Sequence, residues 1–198
     1  MKIVIIALVA LLFAGCSTTI PVVSEYRINV ESPSTALSET GCKKESLKIA
    51  QAFSSSSLMS KKMSYGQGTH RQYNFTESAW AESPNRAISA QILEYIKSTE
   101  LFNSVQISKS RSSNGLLLET NIEDFMQYFS EDEKESFAKV KINLTLIDVK
   151  LSKVIATKTF KATVKVDILN ADGGVIALNK ALKNVLEESG KWLGGVCK

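Results

Sequence analysis

From residue 139 to residue 146 the chain alternates without a break: Val140, Ile142, Leu144 and Leu146 are apolar, while Lys139, Lys141, Asn143 and Thr145 are polar. Successive side chains of an extended backbone point to opposite faces, so this run predicts a strand with one dry and one wet side. Similar runs flank it. Leu116, Leu118, Ile122, Met126 and Tyr128 share a predicted face upstream, before a charged turn at 131–135. Phe160, Ala162, Val164 and Val166 do so downstream of a turn at 150–153. Strands with one buried face, joined by short polar turns, make an antiparallel sheet whose apolar side needs a cover.

Two helices supply that cover. Ser83-Pro84 offers a cap hydroxyl followed by proline at the first helical position, and Ile88, Ile92, Tyr95 and Ile96 fall on one helical face beyond it. A second helix is predicted over 175–188, with Leu178, Leu182, Val185 and Leu186 inward and Asn170 and Asp172 as capping residues. Trp192 and Leu193 carry apolar character on toward Cys197. Shorter strands are predicted at 22–30, 47–53 and 101–107. The Ser-rich stretch from Ser54 to Gly68 has little periodicity and reads as a mobile surface loop. A length of 198 residues, 44% hydrophobic and 22% charged, suits one globular domain. The expectation is a single α+β domain over 22–198, a mainly antiparallel β-sheet with two helices packed on one face.

The amino terminus carries a different signal. Lys2 precedes eleven residues, 3–13, with no polar member, and the small pair Ala14-Gly15 follows. This is the order of a secretory signal, and it is too short for a hydrocarbon core that needs roughly 20 residues. Leu12-Phe13-Ala14-Gly15-Cys16 resembles the lipobox of bacterial lipoproteins. The resemblance implies a signal peptide over 1–15, cleavage before Cys16 and a lipidated tether over 16–21. Cys16 would carry a diacylglycerol on its thiol and a further acyl chain on its amino group, and two or three chains anchor a protein durably. Ser17, where enteric lipoproteins retained at the inner membrane have aspartate, implies by analogy the periplasmic face of the outer membrane.

Two cysteines remain, Cys42 in a polar loop and Cys197 next to the last residue. In an oxidising compartment a disulfide between them is favoured over free thiols, and closing so long a loop would contribute about 4–5 kcal/mol in the chain-entropy model. A single histidine, His70, argues against triads and zinc sites, and no nucleophile elbow accompanies Ser54 to Ser57. The expectation is therefore a protein that is not an enzyme, with no metal and no cofactor beyond the acyl chains on Cys16. A net charge of +4 is too slight for a nucleic-acid footprint.

Further motifs run in order along the mature chain. Tyr73-Asn74-Phe75 leads to Trp80-Ala81-Glu82-Ser83-Pro84, and Leu101-Phe102-Asn103-Ser104-Val105 follows the first helix. Then come 118–125, Leu146-Ile147-Asp148, Thr159-Phe160 and the terminal Trp192-Leu193. In this the chain resembles the ABC-type transport auxiliary lipoproteins that accompany MCE-type lipid-transport systems, over roughly 22–193. Ser83, inserted before Pro84, and the long Ser-rich stretch depart from that pattern. The resemblance implies a lipid-anchored accessory of phospholipid transport, partnered by an MCE protein, a permease and an ATPase. The ATPase would supply the energy, since the chain has no Gly-x-x-x-x-Gly-Lys phosphate cradle. The alternative is an envelope assembly or structural lipoprotein, such as a cell-wall synthase activator or an outer-membrane biogenesis factor. A third is a carrier whose sheet and helices enclose a lipid.

Partner-binding residues follow from exposure and type. Trp80 fits an interface hot spot, though tryptophan before a helix more often plugs a core. Lys139, Lys141, Lys161 and Lys165 would form an outward stripe for anionic headgroups or an acidic partner, or would simply solvate the sheet and guard its edges. Tyr65, in the expected loop, is a further contact residue.

Overall fold

The computed structural model describes residues 21–31, 41–112 and 115–196. Within them the strands are β1 (Ser24–Tyr26), β2 (Ser46–Ile49), β3 (Phe53–Ser54), β4 (Lys62–Gln67), β5 (Arg71–Trp80), β6 (Ser104–Ile107), β7 (Leu116–Phe129), β8 (Ser136–Asp148) and β9 (Lys153–Lys165). The helices are α1 (Pro84–Ser98) and α2 (Ala171–Val196), with a short 3-10 helix at Ser56–Met59. The expected α+β class holds.

The three patterned runs fold as predicted into the antiparallel ladder β7-β8-β9, and β8 buries Val140, Ile142, Leu144 and Leu146. One prediction within it fails. A β-bulge between Ile122 and Asp124 adds a residue to β7, and one extra residue inverts the facing of everything beyond it. Phe125 and Gln127 therefore point inward, whereas Met126 and Tyr128, assigned to the apolar face, point outward.

The other edge of β7 is shared in turn by β2, β3 and β4, all parallel to it; β6 lies parallel beyond β2, and β1 parallel beyond β5. The sheet is thus mixed: its long ladders are antiparallel and its short pairings parallel. The expected strand at 22–30 is only three residues long, although Ile28 and Val30 are buried beyond it. The expected strand at 47–53 divides into β2 and β3. The predicted loop is overturned, because residues 62–67 form β4, which pairs antiparallel with β5 and parallel with β7.

Both helices sit on the apolar face and share one buried cluster with it. Ile88, Ile92, Tyr95 and Ile96 of α1 and Leu178, Leu182, Val185 and Leu186 of α2 are all buried, as their spacing predicts. Ser83 is the residue before α1, but its hydroxyl makes no capping bond; its carbonyl accepts the Arg86 and Ala87 amides instead. Asn170 does cap α2, its side-chain oxygen accepting the Gly173 amide at 3.0 Å. The helix begins tight against the sheet, since a Cβ at Gly174 would collide with the Gln127 amide oxygen. It also continues past the expected end at 188, because Ser189, Gly190, Leu193 and Gly194 stay buried and Trp192 packs edge-on against Phe160.

Candidate functional site

With both helices on one side, the other face of β7-β8-β9 is left open, and the outward residues of the bulged β7 meet those of β8 there. Tyr128 stacks on Phe137 with ring centroids 5.6 Å apart. Its hydroxyl donates to the Asp124 carboxylate at 3.0 and 2.9 Å. Lys139 reaches the same carboxylate at 3.0 Å, with its ammonium 5.7 Å from the Tyr128 ring centroid. Burial, the Asp124 charge and the hydrogen bonds to it push the Tyr128 pKa well above its ordinary value of 10.0.

The structure brings three of the four predicted lysines onto this face with partners. Lys139 pairs with Asp124, Lys141 with Glu123 at 2.6 Å and Lys165 with Glu135 at 3.8 Å. Lys161 stands directly opposite Lys141 in the ladder and makes no ion pair among the described residues. Between and beyond them lie Asn143 bonded to Thr159 at 2.9 Å and Thr145 bonded to Thr157 at 3.0 Å. The face is polar, with Lys161 and Lys165 along β9.

Trp80 is placed elsewhere. It is 3% exposed, with its ring 5.7 Å from Phe125, so it fills the core and offers no surface to a partner. Tyr65 lies on β4, not in a loop, and is half-buried among Tyr73, Phe75 and Phe129 at centroid distances of 5.5, 4.6 and 5.4 Å. The pattern Tyr73-x-Phe75 signals that cluster in the sequence, but Tyr65 and Phe129 join it only through the parallel pairing of β4 with β7.

A groove of about 290 Å³ runs between α1 and the ends of β2 and β6, where Arg86, Ser89 and Lys109 meet Ile49, Leu93 and Ile107. Sequence reasoning missed it, because its walls come from three segments whose adjacency is set by the parallel pairing of β2 with β6. His70 is exposed in the turn between β4 and β5, and among the described residues no three His, Cys, Asp or Glu side chains gather to hold a metal ion. Likewise no described helix is long and apolar enough to cross a membrane. Cys42 is buried, at 4% exposure. Cys16 and Cys197 lie outside the described residues.

No protein-family model matches the chain, and no curated protein does. Solved structures do. The fold is similar to that of protein XCC0632 from Xanthomonas campestris, assigned to the family DUF330, with a TM-score of 0.77 at 14% identity over 87% of this chain and 96% of that one. An uncharacterized protein matches at a TM-score of 0.67 and 13% identity, over 87% of this chain and 99% of the other. The hypothetical protein CT253 from Chlamydia trachomatis matches at 0.51 and 9%, over 78% and 98%. At such identities the likeness defines a shared α+β fold and nothing finer.

Proposed function

We propose that this chain is a non-catalytic, lipid-anchored envelope protein, attached through Cys16 to the periplasmic face of the outer membrane. In this reading it serves as an auxiliary component of an ABC/MCE-type phospholipid transport system and docks that assembly at the membrane. Support for the anchor comes from the lipobox at Leu12 to Cys16. The observation that carries the docking role is the open face of β7-β8-β9, which neither helix covers and which displays Lys139, Lys141, Lys161 and Lys165.

Crosslinking of the tagged, full-length protein in the envelope, followed by isolation, tests the assignment. An MCE protein among the crosslinked partners is expected; consistent recovery of a cell-wall synthase or outer-membrane assembly machine instead would overturn it. Cys16→Ser is expected to release the protein into the soluble envelope fraction, and retention in membranes at high salt would remove the anchor.

The same reading pairs Cys42 with Cys197. Supporting this, Val196, the residue before Cys197, lines one cavity together with Gly41 and Cys42. Peptide mapping without reductant is expected to find the two cysteines joined, and two alkylatable thiols in native protein would exclude the bridge.

A further inference from the structure

The sheet ends on one long strand that is paired on one side only. β9 forms its ladder with β8, and no other described strand adjoins it. The remaining edges are shorter, three residues in β1, four in β6 and the stretch 71–77 of β5 that β1 does not reach. At about 3.4 Å per residue, the thirteen residues of β9 present some 40 Å of backbone edge with every second amide and carbonyl turned outward.

The chemistry of that edge is one-sided. Lys153, Lys158, Lys161 and Lys165 lie on β9 and no acidic residue does. Lys153, Lys158 and Lys161 make no ion pair among the described residues, and Lys158 rests over the Phe160 ring at 5.3 Å. Where the strand begins, Leu151, Val154 and Ile155 are exposed at 73%, 51% and 45%, an apolar patch at one end of a cationic edge.

We propose that the free edge of β9 receives an extended, acidic segment of a partner protein, which adds to the sheet as a further strand. Main-chain hydrogen bonds to the outward amides give such pairing its affinity, and side chains at alternate positions give its specificity. Here carboxylates of the incoming strand meet the lysines, and an apolar residue at one end covers Val154 and Ile155. Lysines on an edge discourage pairing with neutral or basic strands, and the same charges select an acidic one. A second copy of this chain is disfavoured on the same ground. Two β9 strands set antiparallel about Thr159 would oppose Lys153 to Lys165 with no carboxylate on either strand. This inference goes beyond the transport reading and holds whichever envelope machine the partner belongs to.

The test uses the mature protein and a short synthetic peptide of repeating Glu-Glu-Val, with hydrogen exchange and fluorescence anisotropy as readouts. That repeat sets carboxylates on both faces of the added strand, because Lys158 stands opposite Leu144 and Lys161 opposite Lys141. Binding is expected to slow exchange within 153–165 and to be lost when alternate peptide amides are N-methylated. It should weaken about tenfold or more in Lys158→Glu/Lys161→Glu. Lys153→Glu/Lys165→Glu provides a second charge reversal should the first not fold. Equal binding of a Lys-for-Glu peptide, protection confined to the outward face of β8, no binding at millimolar peptide, or self-association through β9 would each overturn the proposal.

Discussion

The two edges of β7 are built differently. Along one, β8 pairs with it over thirteen positions, while along the other β2, β3 and β4 contribute three, two and three in succession. The β8 side is made of neighbours in sequence joined by tight turns, whereas the strands of the other side, although β4 and β5 form a local hairpin, reach β7 from more than forty residues away. Local alternation is enough to build the first kind of edge. The second exists only because the core holds its pieces in place, so the two should answer differently to substitution.

Truncation at the covered ladder should have the largest effect. Phe160 of β9 is 1% exposed and packs under Trp192, so Phe160→Ala is expected to cost about 3–5 kcal/mol, read from the urea midpoint. Phe53 of β3 is 66% exposed, and Phe53→Ala is expected to stay within about 0.5 kcal/mol. Equal losses would break the contrast.

Gly174→Ala comes next. Alanine in place of glycine within a helix ordinarily gains about 1 kcal/mol. Here the collision with the buried Gln127 amide reverses the sign, and a net loss of about 1–3 kcal/mol is expected. A stabilised variant would show that α2 can lift off β7 freely.

A smaller effect should appear with pH. Tyr128 holds its proton more tightly in the folded chain than in the unfolded one, where its pKa is near 10. Stability from this group is complete below pH 10. It falls as the pH rises above that value, because the unfolded chain then releases a proton that the folded chain keeps. Tyr128→Phe is expected to make the alkaline decline of the urea midpoint shallower, and an unchanged slope would sink the assignment. Tyr26 and Tyr95, also raised, contribute in the same direction.

The smallest effect belongs to the ion pair joining the two regions. Arg71 of β5 meets Glu131 in the turn after β7 at 2.6 Å, with both side chains about half exposed or more. Arg71→Ala is expected to cost about 0.2–1 kcal/mol in dilute buffer and almost nothing at high salt. A cost that persists in salt would mark this contact as packing rather than charge.

These differences explain what could be read from the residues. Val140 to Leu146 specify their strand because alternation is a local property, and the faces of α1 and α2 follow the helical repeat in the same way. Even spacing puts Met126 and Tyr128 on the wrong face because a bulge intervenes, and its trace in the residues is that Asp124 falls where an apolar residue is due and Phe125 where a polar one is. The strand at 62–67 was hidden because Lys-Met-Ser-Tyr-Gly-Gln has few β-formers and gains its conformation from β5 and β7. The lysine face was legible as alternation. The groove beside α1 was not, since no single segment contains its walls. Trp80 could be read either way, and only its contact with Phe125 decides.

The arrangement around β7 also sets an order of events. A polypeptide is made from its amino end, so β2 and β3 leave the ribosome long before the strand with which they pair. Before Leu116 to Phe129 has followed, the ladders available to the chain are those of β4 with β5, β1 with β5 and β2 with β6, which stay separate pieces until β7 joins them. The single sheet therefore closes only when its central strand arrives, since β7 alone lies between the β1-β5-β4 piece and the β2-β6 piece and carries β8 and β9 on its other side.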